Sequence, residues 1–144
     1  MGYLLDINVL IARADPAHTL HDQARKWTAR QTTRSLVTCP LTENGFLRIY
    51  GHLNYPGGLD SPEAARAVLT AIRRLPGHQF IPDSITLDDI AIFPSLLGAT
   101  PKHLTDLYLL ALAAKHDLKF ATFDRGVPAH LVTGGVAALE VIAI

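Results

Sequence analysis

The chain has one cysteine, Cys39, and so no internal disulfide, which fits a reducing, cytoplasmic compartment. It has no excess charge of either sign, because 13 Lys and Arg balance 13 Asp and Glu. Proteins that hold polyanions tend to be basic, so net charge lends a nucleic-acid partner no support, although charge can be segregated on one face. Long apolar runs are also missing. The longest, Leu107 to Ala114, falls far below the ~20 residues of a membrane helix. The start, Met1-Gly2-Tyr3-Leu4-Leu5-Asp6, carries neither the basic segment nor the long apolar stretch of a secretory signal. Asp6 also stands where a lipidation motif beginning at Gly2 requires Ser or Thr. These absences lead to the expectation of a soluble, cytoplasmic protein with no membrane partner.

What is present suits a compact globule. Apolar residues make up 49% of the chain and charged residues 18%, the balance of a folded domain and not of a disordered chain. A length of 144 residues suits a single domain, 1–144, with a substantial core. Tyr3-Leu4-Leu5 reads as a buried strand, and Asn8 to Arg13 as a short helix closed by Asp15-Pro16. A second helix is expected from His18 to about Arg30, then a strand over Ser35 to Thr38. Pro40 suits the first turn of a third helix ending at Tyr50, with Gly51 as its stop. Pro56-Gly57-Gly58 marks a loop. Ser61-Pro62-Glu63 starts a helix to about Arg74. Further on, the pattern predicts strands at Gln79 to Ile81, Lys119 to Thr122 and Leu139 to Ile144. It also predicts a short helix at Thr86 to Ile92, a loop at Gly98 to Lys102 and an apolar helix at Thr105 to His116. Strands alternating with helices indicate an α/β fold with a mainly parallel central sheet flanked by helices.

Most of the acidic residues lie among polar or turn residues, where a solvated or capping role suffices. Four do not. Asp6 interrupts an apolar run at the expected carboxyl end of a strand, and Asp124 repeats this after Phe120-Ala121-Thr122-Phe123. In open α/β sheets, ligands bind outside the carboxyl ends of the strands. Asp106 opens the apolar helix. Glu43 shares a helix face with Phe46, Leu47 and Tyr50, where an uncompensated carboxylate is costly to desolvate. Each alone reads as a cap or a salt-bridge partner about as well as a functional group. Together, with no matching buried basic residues, they would repel one another unless a cation joined them. Oxygen-only ligands without His or Cys favour Mg²⁺ or Mn²⁺ over Zn²⁺. Such ions can activate water for in-line attack on a phosphodiester.

The segments Leu4 to Ile11, Leu41 to Arg48, Leu104 to Ala111 and Ala121 to Gly126 together resemble the PIN-domain family, and within it the VapC-type toxins. The resemblance runs in order over nearly the whole chain. It implies a ribonuclease acting on structured RNA, often tRNA or rRNA, a homodimer, and inhibition by a cognate VapB-type antitoxin. It carries the family's acidic quartet onto Asp6, Glu43, Asp106 and Asp124, with Asn8 and Thr122 as supporting polar residues.

Arg13, Arg48 and Arg125 lie near the acidic motifs in sequence and are candidate RNA contacts, since the guanidinium fork suits phosphate. His18 and His21 share a helix face, but nothing supplies further metal ligands. His103 near Asp106 reads as solvent-exposed. Cys39 reads as a small buried hydrophobe, and Trp27 as a core or dimer-interface residue. A haloacid-dehalogenase-type phosphatase also places an Asp after its first strand, but needs a second Asp where Asn8 stands. A catalytically silent binding module is the remaining alternative, although such a module would gain stability by losing the four acids.

Overall fold

The computed structural model describes residues 2–31 and 35–144; Met1, at the head of the segment read above for targeting signals, lies outside them. The elements are β1 (Gly2–Leu5), α1 (Ile7–Ala14), α2 (His21–Ala29), β2 (Ser35–Thr38), α3 (Pro40–Tyr50), α4 (Pro62–Arg73), β3 (Gln79–Phe80), α5 (Leu104–Lys115), β4 (Lys119–Thr122), α6 (Gly135–Ala138) and β5 (Leu139–Val141). Among the described residues the sheet runs β3-β2-β1-β4-β5 with every pairing parallel. The expected α/β architecture is the one observed.

Side chains alternate across a strand, and this period of two divides the interior into two cores. Tyr3, Leu5 and Ala121 join Val9, Leu10, Trp27, Phe46, Leu69 and Ile72 on the face covered by α1 to α4. Leu4, Val37 and Phe120 join Leu107, Leu110 and Leu112 on the face covered by α5 and α6. Because both faces are covered, the central strands are apolar throughout, as Leu4 and Leu5 illustrate. Trp27 belongs to the first core, meeting the Tyr3 ring edge-on at 4.7 Å between centroids.

This topology places the site. The chain leaves β1 for β2 and β3 on one side, then returns to build β4 and β5 on the other. β1 and β4 therefore flank the point where the strand order reverses, and in open α/β sheets ligands bind at the carboxyl ends of such strands. Asp6 follows β1, and Thr122 and Asp124 end or follow β4.

Several local expectations are corrected. The second helix begins at His21 and not His18. Asp15 Oδ1 accepts from the Ala17 N–H and His18 Nδ1 from the Leu20 N–H, which closes a turn first. Asp15 is itself buried and accepts a 2.6 Å hydrogen bond from the Tyr55 hydroxyl. Thr86 to Ile92 is not a helix, because Thr86 Oγ1 and Asp89 Oδ1 capture the backbone N–H groups of Asp88 and Ala91. Within the expected loop before α5, Pro101–His103 forms a single 3₁₀ turn. The last strand stops at Val141, and the short α6 precedes it. Gly51 does end α3, but at φ −87°, so no left-handed cap requires it. A Cβ there would lie 2.7 Å from Pro62 Cα, so close packing against α4 is what excludes a side chain.

Candidate active site

Three of the four acids meet at the carboxyl ends of β1 and β4. Asp6 is 7% exposed, at the junction where β1 ends and α1 begins. Thr122, fully buried at the end of β4, donates its hydroxyl to Asp6 Oδ2 at 2.7 Å. The same hydroxyl oxygen accepts the Asp124 N–H at 3.1 Å, so one side chain aligns two acids. Asp124 is exposed, and its Oδ1 accepts the Gly126 N–H. Asp106 sits half-buried in the first turn of α5.

The electrostatics register the crowding. Burial, the largest cause, pushes the Asp6 carboxyl above its ordinary range, and the Asp124 charge adds to this; the Thr122 hydroxyl and the amides of Ile7 and Asn8 oppose it. Asp106 is pushed up to about 7, first by burial, then by the charges of Asp6 and Asp124. Neither ion pair formed among the described residues involves these three aspartates. Like charges in one crevice with no cation opposite favour either a proton or a metal ion.

A proton on Asp106 gives a pH test. Its folded value lies above the ordinary 3.8, so the unfolded chain releases this proton first as pH rises. The stability that the protonated group contributes is fully present below about pH 4 and is lost as pH rises through about 7. In EDTA, the melting temperature of the protein relative to its Asp106→Asn variant is expected to fall between about pH 5 and pH 8. A difference that stays flat over that window, followed by thermal melts, contradicts this account.

Glu43 behaves differently, because it has a basic partner, although an exposed one and not a buried one. Its Oε2 accepts from Thr38 Oγ1 at 2.6 Å and pairs with Arg73 Nη1 at 2.5 Å. Thr38 ends β2 as Thr122 ends β4, and each hydroxyl donates to one of the four acids. The Thr38 hydroxyl has one proton and gives it to Glu43, so it accepts from His78 Nε2–H at 2.8 Å. Arg73, Thr38 and His78 thus surround Glu43, and the sequence did not single them out. A threonine closing a parallel strand just before an acid-bearing helix, as in Thr38-Cys39-Pro40, is the signal that could have found one of them.

The structure does not bring all the candidate arginines to the acids. Arg13 lies in the last turn of α1, half-buried, and lines a cleft with Arg25, Thr28 and Leu36. Arg48 lies in the last turn of α3, whereas Glu43 lies in the first. Arg125 is exposed beside Asp124. Asn8 is exposed, and only its backbone N–H bears on Asp6. His18 and His21 are committed to backbone contacts. Cys39 is buried, and burial pushes its thiol up to about 11, which keeps it protonated and inert.

Among the described residues, no three His, Cys, Asp or Glu side chains stand together so as to hold a metal ion by themselves. The donor set nevertheless fits a hydrated hard cation. Asp6, Asp106 and Asp124 offer only oxygens and share uncompensated charge, and magnesium keeps several waters beside one or two carboxylates.

The PIN domain family matches residues 3–130 of the chain. Among similar proteins, Ribonuclease VapC44 of Mycobacterium tuberculosis is 36% identical over 138 residues, covering 93% of this chain and 94% of that protein. Ribonuclease VapC38 of the same organism is 37% identical over 124 residues, 86% of each chain. Ribonuclease VapC39 is 33% identical over 139 residues, 96% of this chain and all of that protein.

Proposed function

The chain belongs to the PIN-domain family and, within it, to the VapC-type ribonucleases, and from that premise we propose that it hydrolyses structured RNA, transfer or ribosomal, with a magnesium or manganese ion held by Asp6, Asp106 and Asp124. Glu43 is the fourth acid, presented from α3 by Thr38 and Arg73. The observation that carries this reading is the mutual charge of the three aspartates at the reversal point of the sheet. A phosphatase of the haloacid-dehalogenase type is set aside, because Asn8 is exposed and lacks the acid that chemistry needs.

A bound ion of this kind would lower the pKa of its water and offset charge gathering on the phosphodiester. The protein's own contribution is positional. Thr122 fixes the Asp6 carboxylate and the Asp124 backbone with one hydroxyl. Burial disfavours the Asp6 charge while no cation faces it, so an entering cation would be the favoured way to offset it. Arg73 and Thr38 hold Glu43 by a single oxygen.

The wider proposal is a single domain over 1–144 acting as a cytoplasmic homodimer that a VapB-type antitoxin neutralises. The resemblance to the VapC-type toxins supports it. No helix among the described residues is long and apolar enough to cross a membrane. The purified protein incubated with total cellular RNA is expected to produce discrete fragments with Mg²⁺ or Mn²⁺ and none in EDTA. Restoring the metal in excess should restore cleavage. Undiminished cleavage in EDTA rules the metal out, and co-purification with the product of an adjacent short reading frame tests the antitoxin.

A further inference from the structure

One large side chain on the carboxyl edge of the sheet takes no part in the carboxylate site. β3 ends at Phe80, which remains 45% exposed. In the parallel sheet, Phe80 lies at the same edge as Thr38, Asp6 and Thr122, with Thr38 its register partner on β2. The Arg73 guanidinium lies over the ring, 4.6 Å from its centroid. Arg73 is itself 41% exposed while its Nη1 pairs with Glu43. A guanidinium has five N–H donors in a planar fork, so the bond to Glu43 leaves others available.

An apolar ring left in water beside the Arg73–Glu43 pair costs free energy unless something covers it. The cover must present a flat face to the ring and an anion to the adjacent guanidinium. A nucleotide has both. The chain carries no net charge, so long-range attraction for RNA is weak and short-range contacts must supply more of the affinity. We infer that Phe80 and Arg73 form a nucleotide subsite beside Glu43, taking an unpaired base of the RNA substrate on the Phe80 ring and an adjacent phosphate on the Arg73 guanidinium. The inference rests on the ribonuclease reading of the site. The base extends the arginine–phenylalanine stack, and because every base has a π face the contact tolerates any sequence. Arg73 then links the subsite to the acids by its bond to Glu43.

The test is equilibrium binding of a fluorescein-labelled, single-stranded oligoadenylate in EDTA at low ionic strength. The Asp6→Asn background excludes cleavage. Phe80→Ala and Phe80→Leu are each expected to weaken binding by roughly 5- to 150-fold, the value of one base–aromatic stack. Phe80→Trp should bind as tightly as the parent or tighter. Leucine keeps the apolar bulk and loses the π face, so the Leu and Trp variants separate stacking from burial. Thermal melts confirm that each variant is folded. Equal affinity in all four proteins overturns the subsite, as does parent-like binding by Phe80→Leu. A change in sedimentation without a change in affinity does so too, because it would make Phe80 a protein–protein contact. If the wild type cleaves RNA with Mg²⁺ while the Phe80 variants bind like the parent, the subsite fails and the ribonuclease reading stands. If binding depends on Phe80 but no divalent ion supports cleavage, the ribonuclease reading fails instead.

Discussion

Replacing Asp6 with asparagine is expected to lower RNA cleavage by roughly 10³-fold or more, the scale of losing a principal electrostatic group from an active site, while the metal-free fold is retained or stabilised. Asparagine keeps an oxygen where Thr122 Oγ1 donates at 2.7 Å. It removes a charge that burial and Asp124 both disfavour, so no folding free energy depends on the carboxylate in the absence of metal. The two readouts must therefore move apart. Cleavage of total RNA in Mg²⁺ falls, and the melting temperature in EDTA holds or rises. Metal-induced stabilisation should shrink as well, since an ion that binds only the folded state raises its stability by mass action. Cleavage within a few-fold of wild type would remove Asp6 from the metal site. A collapse of the fold in EDTA would instead make Asp6 a structural acid.

The second large effect lies in the core. Phe120→Ala is expected to cost about 3–5 kcal/mol of folding stability, the range for deleting a fully buried aromatic side chain. Phe120 is 0% exposed on β4, with register partners Leu4 on β1 and Leu139 on β5. Its cluster contains Val37, Leu107, Leu110 and Leu112, and little around it is free to collapse into the void. Against a typical total of about 5–15 kcal/mol this is a large fraction. Urea unfolding with linear extrapolation measures it, and a loss below about 1 kcal/mol would mean that the cavity refills. Two residues further along β4, Thr122 carries the hydrogen bonds that align Asp6 and Asp124. Cleavage by the variant should consequently persist only at temperatures where it remains folded.

Much of the frame was readable before any coordinates. β2, α3 and β4 begin and end where the residue pattern put them. Their apolar period, the proline at the start of α3 and the β-branched run before Cys39 all act within a few residues. The failures cluster where side chains compete with the backbone for hydrogen bonds, as Asp15, His18, Thr86 and Asp89 do. That competition is decided by loop geometry, which periodicity does not encode. For the site, Asp6, Asp106 and Asp124 stood out because each carboxylate sits in an apolar setting.

The sequence by itself determined the fold class and marked Asp6, Glu43, Asp106 and Asp124 as carboxylates in apolar settings, because both follow from local contrasts: strand against helix period, and charge against apolar neighbours. Only the tertiary structure decided the fate of Glu43. Its partner Arg73 lies 30 residues away on α4, and the second donor to the same oxygen ends β2. The stacking of Arg73 on Phe80 is likewise made where α4 passes the edge strand. Contacts between separate elements depend on how helices and strands pack, and no pattern within one element records which residue a neighbouring element will bring against it.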